Sequence, residues 1–357
     1  QQSYQMAVDY QKLCLDDAGN STWQVPEFFA KQASSNAPWD FSYVDTSITD
    51  GVATITINRP EAMNALNETV IKQLGQAVNA VNANTAVHTM VLDGAGKAFV
   101  AGADVKFFVD KIRSNSIGDI VEFTSNGHEV LNAIENSSKT TVALTTGLAL
   151  GGGLELALCC DYRIGTRRTQ FRFPETSIGI YPGLGGSQRP ARISGIPLAR
   201  WAVLGGNFMN SQIAYDIGLL THLVDLSEVD AAVTQCSNSG KPANKYPGKP
   251  RNDASPVVKF ASDFYSDNNL SVLLSGGCPA GYDVAEKTIS RQLKNLKYTA
   301  PIALSMASEL IDITSNTSLS EGLDSELSKL TDIFSTRDAL EGLSALIEGR
   351  RPTYNNN

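Results

Sequence analysis

The stretch LALGGGLELALCCDY, residues 148–162, is apolar almost throughout, yet it holds three consecutive glycines, Gly151 to Gly153, and, inside the apolar run that ends at Cys160, a lone carboxylate, Glu155. Glycine is a poor helix former, and a lone Glu in an apolar run is costly to bury. The strand-like run TTVALTT precedes the glycines and a helical run follows them, so they sit at a strand-to-helix turn. The first N–H groups of a helix have no intrahelical partners, and the helix dipole adds partial positive charge at that end. With no side chain on Gly152, a ligand oxygen can approach its N–H closely, which suits a developing oxyanion. The competing reading is that the glycines only let strand and helix pack tightly. On this stretch alone the two readings stand level.

Outward from this turn the pattern alternates strand and helix. FSYVDTSITDGVATITINRP reads as two alternating strands joined at Asp50-Gly51, a hairpin signal, with Pro60 ending the second. NETVIKQLGQAVNAVNAN has helical spacing with Asn67 as its cap. TMVLDG is a buried strand, GDIVEFTSNGHEVLNAIEN a helix, TTVALTTG a strand and DYRIGT a further strand. This order predicts an α/β unit with a parallel sheet. Beyond Tyr181 the chain becomes mostly helical, with a short strand at THLVDL. Residues 235–298 are rich in Ser, Asn, Gly, Pro and Lys and are expected to be an exposed insertion or loop. Residues 1–40 are expected to hold two short helices and a linker.

Composition excludes several classes. With 357 residues, 42% hydrophobic and 18% charged, the chain can bury a sizeable core. A net charge of -8 argues against a chain-wide nucleic-acid surface. No apolar run is long enough for a membrane span, and QQSYQMAVDYQKLCLDD lacks the features of a signal peptide. Five irregularly spaced cysteines fit a reduced, cytoplasmic compartment. Three scattered histidines and no CxxC pair leave no metal-ligand cluster, so no metal is expected.

Three glycine-rich points occur in order: AFVAGADVK (98–106), GLALGGGLELA (147–157) and FPETSIGIYPGLGGSQRP (173–190). None matches a nucleotide-binding fingerprint. Together with ITINRPEAMNALN near the start and FSTRDALEGLSALIEGRRP near the end, they resemble the crotonase superfamily, the enoyl-CoA hydratase/isomerase family. The resemblance runs from about Phe41 to Thr353, interrupted over residues 235–298. It implies an α/β, crotonase-like ββα spiral core over residues 41–234 and a helical C-terminal trimerisation region over residues 299–357. Residues 1–40 would be an appendage or the remnant of a preceding 3-hydroxyacyl-CoA dehydrogenase domain, because VPEFFAKQ is similar to the last helices of such a domain. No Rossmann fingerprint is present, so no NAD is expected here.

The resemblance also implies roles. Ala103 and Gly152 would supply the two oxyanion-hole amides, and Glu155 and Glu175 would be the paired catalytic carboxylates. Glu155 would activate water and Glu175 would deliver a proton to the α-carbon, which requires environments that drive their pKa values apart. Gly183 would line the site near the water, with a plain turn glycine as the alternative. Coenzyme A, as part of the substrate and not as a cofactor, would lie along Ala65, Leu66, Ala101, Asp104 and Lys106, with the C-terminal Lys329, Arg337, Arg350 and Arg351 near its phosphates. A helix cap or loop hydrogen bond competes for Asp104, and a solvated lysine for Lys106. The implied activity is that of a lyase, reversible syn addition of water to a short-chain 2-enoyl-CoA, in a homotrimer or dimer of trimers. Double-bond isomerisation and a non-catalytic CoA-binding scaffold are the alternatives; the glutamate pair argues against the scaffold. Departures from the family pattern fall at Arg172, Phe173 and Pro190, and Phe107-Phe108 either narrow the acyl pocket or belong to the core. Cys159-Cys160 read as small buried hydrophobes.

Overall fold

Asp50 and Gly51 both take left-handed backbone, with φ of 49° and 75°, and close a two-residue hairpin between β1 (Val44–Thr49) and β2 (Val52–Ile57). The computed structural model describes residues 43–356, so the helices expected over residues 1–40 lie outside the described residues. After β2, Asn67 caps α1 (Glu68–Ala83) by accepting from the Val70 amide at 2.8 Å. Val70, Ile71, Leu74, Val78 and Val81 form the buried stripe of that helix.

The chain then winds as a spiral. β3 (Thr89–Gly94) leads to β4 (Ala98–Ala101), then to α2 (Val105–Arg113) and α3 (Ile117–Glu135). β5 (Thr140–Thr145) leads to β6 (Leu148–Leu150) and α4 (Gly152–Leu158). β7 (Tyr162–Gly165) leads to β8 (Gln170–Arg172). The first strand of each turn joins a six-stranded sheet, β1-β2-β3-β5-β7-β10, and the second joins a four-stranded sheet, β4-β6-β8-β9. Here β9 is Met209–Asn210 and β10 is His222–Leu223. All pairings are parallel except β1 with β2 and β8 with β9. This is the ββα spiral implied by the resemblance. Its parallel strands are apolar runs because both faces are covered, as in β3, where Thr89 to Leu92 are all buried.

Helices follow: α5 (Arg189–Ser194), α6 (Ile196–Val203), α7 (Ser211–Asp216) and α8 (Val229–Ser239). The segment expected to be an exposed insertion or loop is helical over about half of its length, and this corrects the loop reading. It carries α9 (Pro256–Phe264), α10 (Asp267–Leu274) and α11 (Lys287–Lys297). Val258, Ala261, Phe264, Tyr265, Leu273, Ile289 and Leu296 are buried in the main core. Low average apolar content hid a few well-spaced apolar anchors. The C-terminal part comprises α12 (Pro301–Asp312), α13 (Leu319–Ser328), α14 (Leu330–Phe334) and α15 (Arg337–Glu348).

Even the polar loop before α9 is tied down. Lys245 donates to Glu135 at 2.9 Å and to the Cys159 carbonyl at 2.6 Å, and the Tyr246 hydroxyl also donates to Glu135. Burial pushes the Glu135 carboxyl up, but Arg189, Lys245 and Tyr246 outweigh it and hold the group below its usual value. Lys245→Met is therefore expected to cost about 1–3 kcal/mol, since it strands a buried carbonyl and weakens a buried carboxylate's shell. Urea denaturation measures this; a solvated loop lysine would change stability by less than about 0.5 kcal/mol.

Candidate active site

The glycine turn lies at the end of the smaller sheet. Leu150 pairs with Ala101 of β4 on one side and Arg172 of β8 on the other. Gly151 then leaves the strand with φ 47° and ψ -124°, donates to the Arg172 carbonyl at 2.9 Å and caps α4. The three glycines do different things. A Cβ on Gly153 would lie 2.0 Å from the Val100 carbonyl oxygen, so here close packing of helix on strand is the reason. On Gly152 the nearest atoms would be the Leu184 and Leu66 Cδ1 atoms at 3.3 Å, so packing alone does not require glycine. Gly152 is the first residue of α4, where the amide has no intrahelical acceptor.

Ala103 sits on the neighbouring strand end. Its parallel bridge with Leu66 uses the Gly102 carbonyl (2.9 Å) and the Asp104 amide (2.9 Å), which leaves Ala103's own N–H outside that ladder. Ala101 and Leu150 are paired, and Ala103 and Gly152 each lie two residues further along adjacent chains. Strands so paired run about 4.8 Å apart. The topology thus brings the two amides named from the sequence to the same end of the sheet.

Both carboxylates are buried beside this turn, Glu155 at 2% and Glu175 at 7% exposure. Glu155 Oε2 is 3.8 Å from where a Gly152 Cβ would sit, and Glu175 Oε1 is 2.3 Å from the corresponding Gly151 position. Their surroundings differ. Glu155 Oε1 accepts from the Leu184 and Gly186 amides, both at 2.7 Å. Glu175, just after Pro174, has a buried Oε2 with no hydrogen-bond partner. Burial raises the Glu155 carboxyl to about 7, and the two amides and Arg189 oppose that rise. Burial and the neighbouring Glu155 charge push Glu175 well above the ordinary carboxylate range. One carboxylate is solvated by amides, and the other is pushed toward its protonated form by burial and its neighbour's charge.

The glycine-rich loop that follows, Gly183 to Ser187, is the amide donor. His128 Nε2 donates to the Gly183 carbonyl at 2.6 Å, and Arg189 Nη1 donates to the Leu184 carbonyl at 2.8 Å. Burial lowers His128 to about 4, so the imidazole is neutral, with its proton on Nε2 to serve that bond. Arg189 is itself buried and paired with Glu135 at 2.7 Å.

Residues 52–357 match the family model described as enoyl-CoA hydratase/isomerase. The chain belongs to the enoyl-CoA hydratase/isomerase family. It is 40% identical over 179 residues to the crotonyl-CoA hydratase of Syntrophomonas wolfei, covering 50% of this chain and 67% of that one. It is 31% identical over 308 residues to a probable enoyl-CoA hydratase of Rhizobium meliloti, covering 85% and 94%. Among solved structures, an enoyl-CoA hydratase from Rhodobacter sphaeroides superposes with a TM-score of 0.74 at 22% identity, covering 88% and 93%, which establishes the shared fold.

In this family member the residues named for coenzyme A cluster around the Leu66–Ala103 bridge. Leu66 is fully buried with its Cδ1 toward Gly152. Asp104 is the cap residue of α2, but its side chain makes no cap bond; it pairs with Arg59 at 3.2 Å, and Arg59 also donates to the Ala65 carbonyl at 3.2 Å. Lys106 is exposed on the first turn of α2. The C-terminal basic group is otherwise engaged in part: Lys329 pairs with Glu309, Arg350 with Glu341 and Glu348, and Arg351 lies over the Tyr298 ring. Phe108 packs against Phe123 and Phe334, with ring centroids 5.8 Å and 5.3 Å away, so it belongs to the core, and Phe107 joins it against Phe123 at 5.2 Å. Arg172 donates to the Gly206 carbonyl at 2.9 Å and lies over the Phe208 ring. Cys159 and Cys160 are buried, and burial pushes the Cys160 thiol up, so it is a poor nucleophile. Among the described residues no three His, Cys, Asp or Glu side chains gather to hold a metal, and no helix is long and apolar enough to cross a membrane.

The resemblance placed Gly183 near the water; in the structure Gly183 offers its carbonyl to His128, and the amides that reach Glu155, which the sequence did not point to, belong to Leu184 and Gly186. Backbone donors carry no side-chain signature, so the spacing of PGLGG was the only signal available for them.

Proposed function

We propose that the chain is an enoyl-CoA hydratase, a lyase that reversibly adds water to a short-chain 2-enoyl-CoA to give the 3-hydroxyacyl-CoA. The observation that carries this is the glutamate pair beside the Gly151–Gly152 turn, with Glu155 held by two amides and Glu175 Oε2 buried without a partner. The thioester oxygen would lie between the amides of Ala103 and Gly152. Ionised Glu155 takes a proton from water as the water oxygen bonds to the β-carbon. The π electrons move to the thioester oxygen, where the two amides stabilise the enolate. The Glu175 carboxyl then gives its proton to the α-carbon, completing syn addition; the reverse reaction exchanges the roles.

Coenzyme A enters only as part of the substrate, along Ala65, Leu66, Ala101, Asp104 and Lys106, and the proposed steps use no metal or redox cofactor. The reading extends to a cytoplasmic homotrimer or dimer of trimers assembled through α12–α15, with a fused or associated 3-hydroxyacyl-CoA dehydrogenase to consume the product. Light scattering tests the assembly, and a stable monomer would overturn it.

The pH profile of kcat/KM, which reports the acid and base of the free enzyme, is the direct test of the two roles. The base must be ionised and is raised to about 7, so the rate falls as pH drops below about 7. The acid must be protonated, and burial and the Glu155 charge push it well above the ordinary carboxylate range, so the rate falls again on the alkaline side. A bell with its acid limb near 7 is expected; a limb near the ordinary carboxylate value of 4.5 would sink the assignment.

A further inference from the structure

The Gly183–Ser187 loop is gripped from two sides. Glu155 takes the amides of Leu184 and Gly186, both at 2.7 Å. The amides between and after them go to a second carboxylate, Glu326 of α13: Gly185 N donates to its Oε2 at 2.7 Å and Ser187 N to its Oε1 at 3.0 Å, and the Ser187 hydroxyl adds a third bond at 2.5 Å. Glu326 has no exposed surface. It occupies an apolar stripe, three residues after Leu323 and four before Leu330, both buried. A leucine there would fill the space without the cost of burying a carboxyl. All three of its contacts are donors on the loop, so an ionised carboxylate satisfies every one of them.

Resting on the hydratase reading above, we propose that Glu326 is a positioning residue for the hydration reaction, fixing the Gly183–Ser187 loop so that its other amides hold Glu155 in place. It acts through the loop and touches no substrate. The geometry forces the link. Successive amides along the loop alternate between the two carboxylates, so a loop free to rotate on the Glu326 side loses its aim at Glu155. Tyr181 fixes Glu326 from behind by donating to its backbone carbonyl at 2.6 Å.

The groups facing Glu326 are Glu155 from α4, His128 from α3 with its Nε2 3.9 Å from Oε2, Tyr181, and Arg189 from α5. His128 is neutral, Arg189 remains charged and Tyr181 keeps its proton, so the carboxylates alone titrate near neutrality. This gives a signature that a purely structural role lacks. Burial and the neighbouring Glu155 charge push the Glu326 carboxyl up to about 8, so glutamine there removes little charge near pH 7, and whatever charge it removes would by itself move the acid limb of kcat/KM to lower pH. Loosening the two amides that stabilise the Glu155 carboxylate moves it to higher pH.

The experiment compares Glu326→Gln with the wild-type chain on crotonyl-CoA. A glutamine offers one acceptor, so its amide nitrogen must face the N–H of either Gly185 or Ser187. The expected result is a kcat lower by about 10- to 100-fold, KM changed by less than about twofold, and an acid limb moved to higher pH. A kcat within about twofold of wild type, or a limb unmoved or moved down, would overturn the proposal. If Glu326→Gln does not fold, Ser187→Ala removes one donor with no change of charge. A kcat lower by about threefold with the limb moved up supports the proposal, and an unchanged profile overturns it. A wild-type chain that does not turn over crotonyl-CoA or longer homologues overturns the hydratase reading itself, whereas an active wild type with indifferent variants overturns the role of Glu326 alone.

Discussion

Glu155→Gln is expected to lower kcat on crotonyl-CoA by about 10²–10⁴-fold, the usual contribution of a positioned general base. Glutamine keeps the size of the side chain, and its Oε1 can still accept from the Leu184 and Gly186 amides. The fold should therefore survive while the proposed proton acceptor is lost. The same substitution should stabilise the protein at alkaline pH. Glu155 is raised by burial from 4.5 to about 7 in the folded state. The folded state thus binds a proton that the unfolded state has released, and stability is lost as pH rises through about 7. Above that pH the ionised carboxylate costs about 3 kcal/mol, and below about 4.5 it costs nothing. Thermal melts at pH 5 and pH 8 should show a gain for the variant at pH 8 that is absent or smaller at pH 5. A kcat within tenfold of wild type would remove Glu155 from the role of base.

Gly151→Ala should separate activity from folding in the other direction. Gly151 has φ of 47° and ψ of -124°, backbone that an alanine adopts only under strain of about 1–3 kcal/mol. Its new Cβ would lie 2.3 Å from Glu175 Oε1 and 3.2 Å from Glu175 Cδ. The obstructing atoms are the mobile end of a side chain, so the carboxyl gives way and the backbone does not. The chain is expected to fold with a lower melting temperature but to lose kcat by about 100-fold, because the proposed proton donor is displaced. Full activity would show that the position of Glu175 is not critical to the reaction.

Much of the site was legible because its parts conflict with their surroundings in sequence. The carboxylate in LALGGGLELALCC is costly to bury, and that marked Glu155, whereas the Glu after Pro174 was named only by the family resemblance. The hairpin was legible because Asp50-Gly51 suits two left-handed residues. The amide donors were not, since the side chains of Leu184 and Gly186 say nothing of where their N–H groups point. Arg189 and Glu135 are 54 residues apart, and only the fold makes them partners. Glu326 was visible in principle as a carboxyl on an apolar stripe, the same kind of conflict that marked Glu155. The segment 235–298 misled because its polar average concealed Val258, Ala261 and Phe264 at helical spacing, and because Lys245 is the kind of residue that is usually solvated.

The most direct measurement follows the absorbance of the conjugated enoyl thioester when the chain is mixed with crotonyl-CoA. The expected result is loss of that absorbance to an equilibrium with 3-hydroxybutyryl-CoA, reached from either side. Binding of the CoA ester with no change in absorbance, for crotonyl-CoA and for longer 2-enoyl-CoA homologues alike, would contradict it and leave a CoA-binding protein without hydratase chemistry.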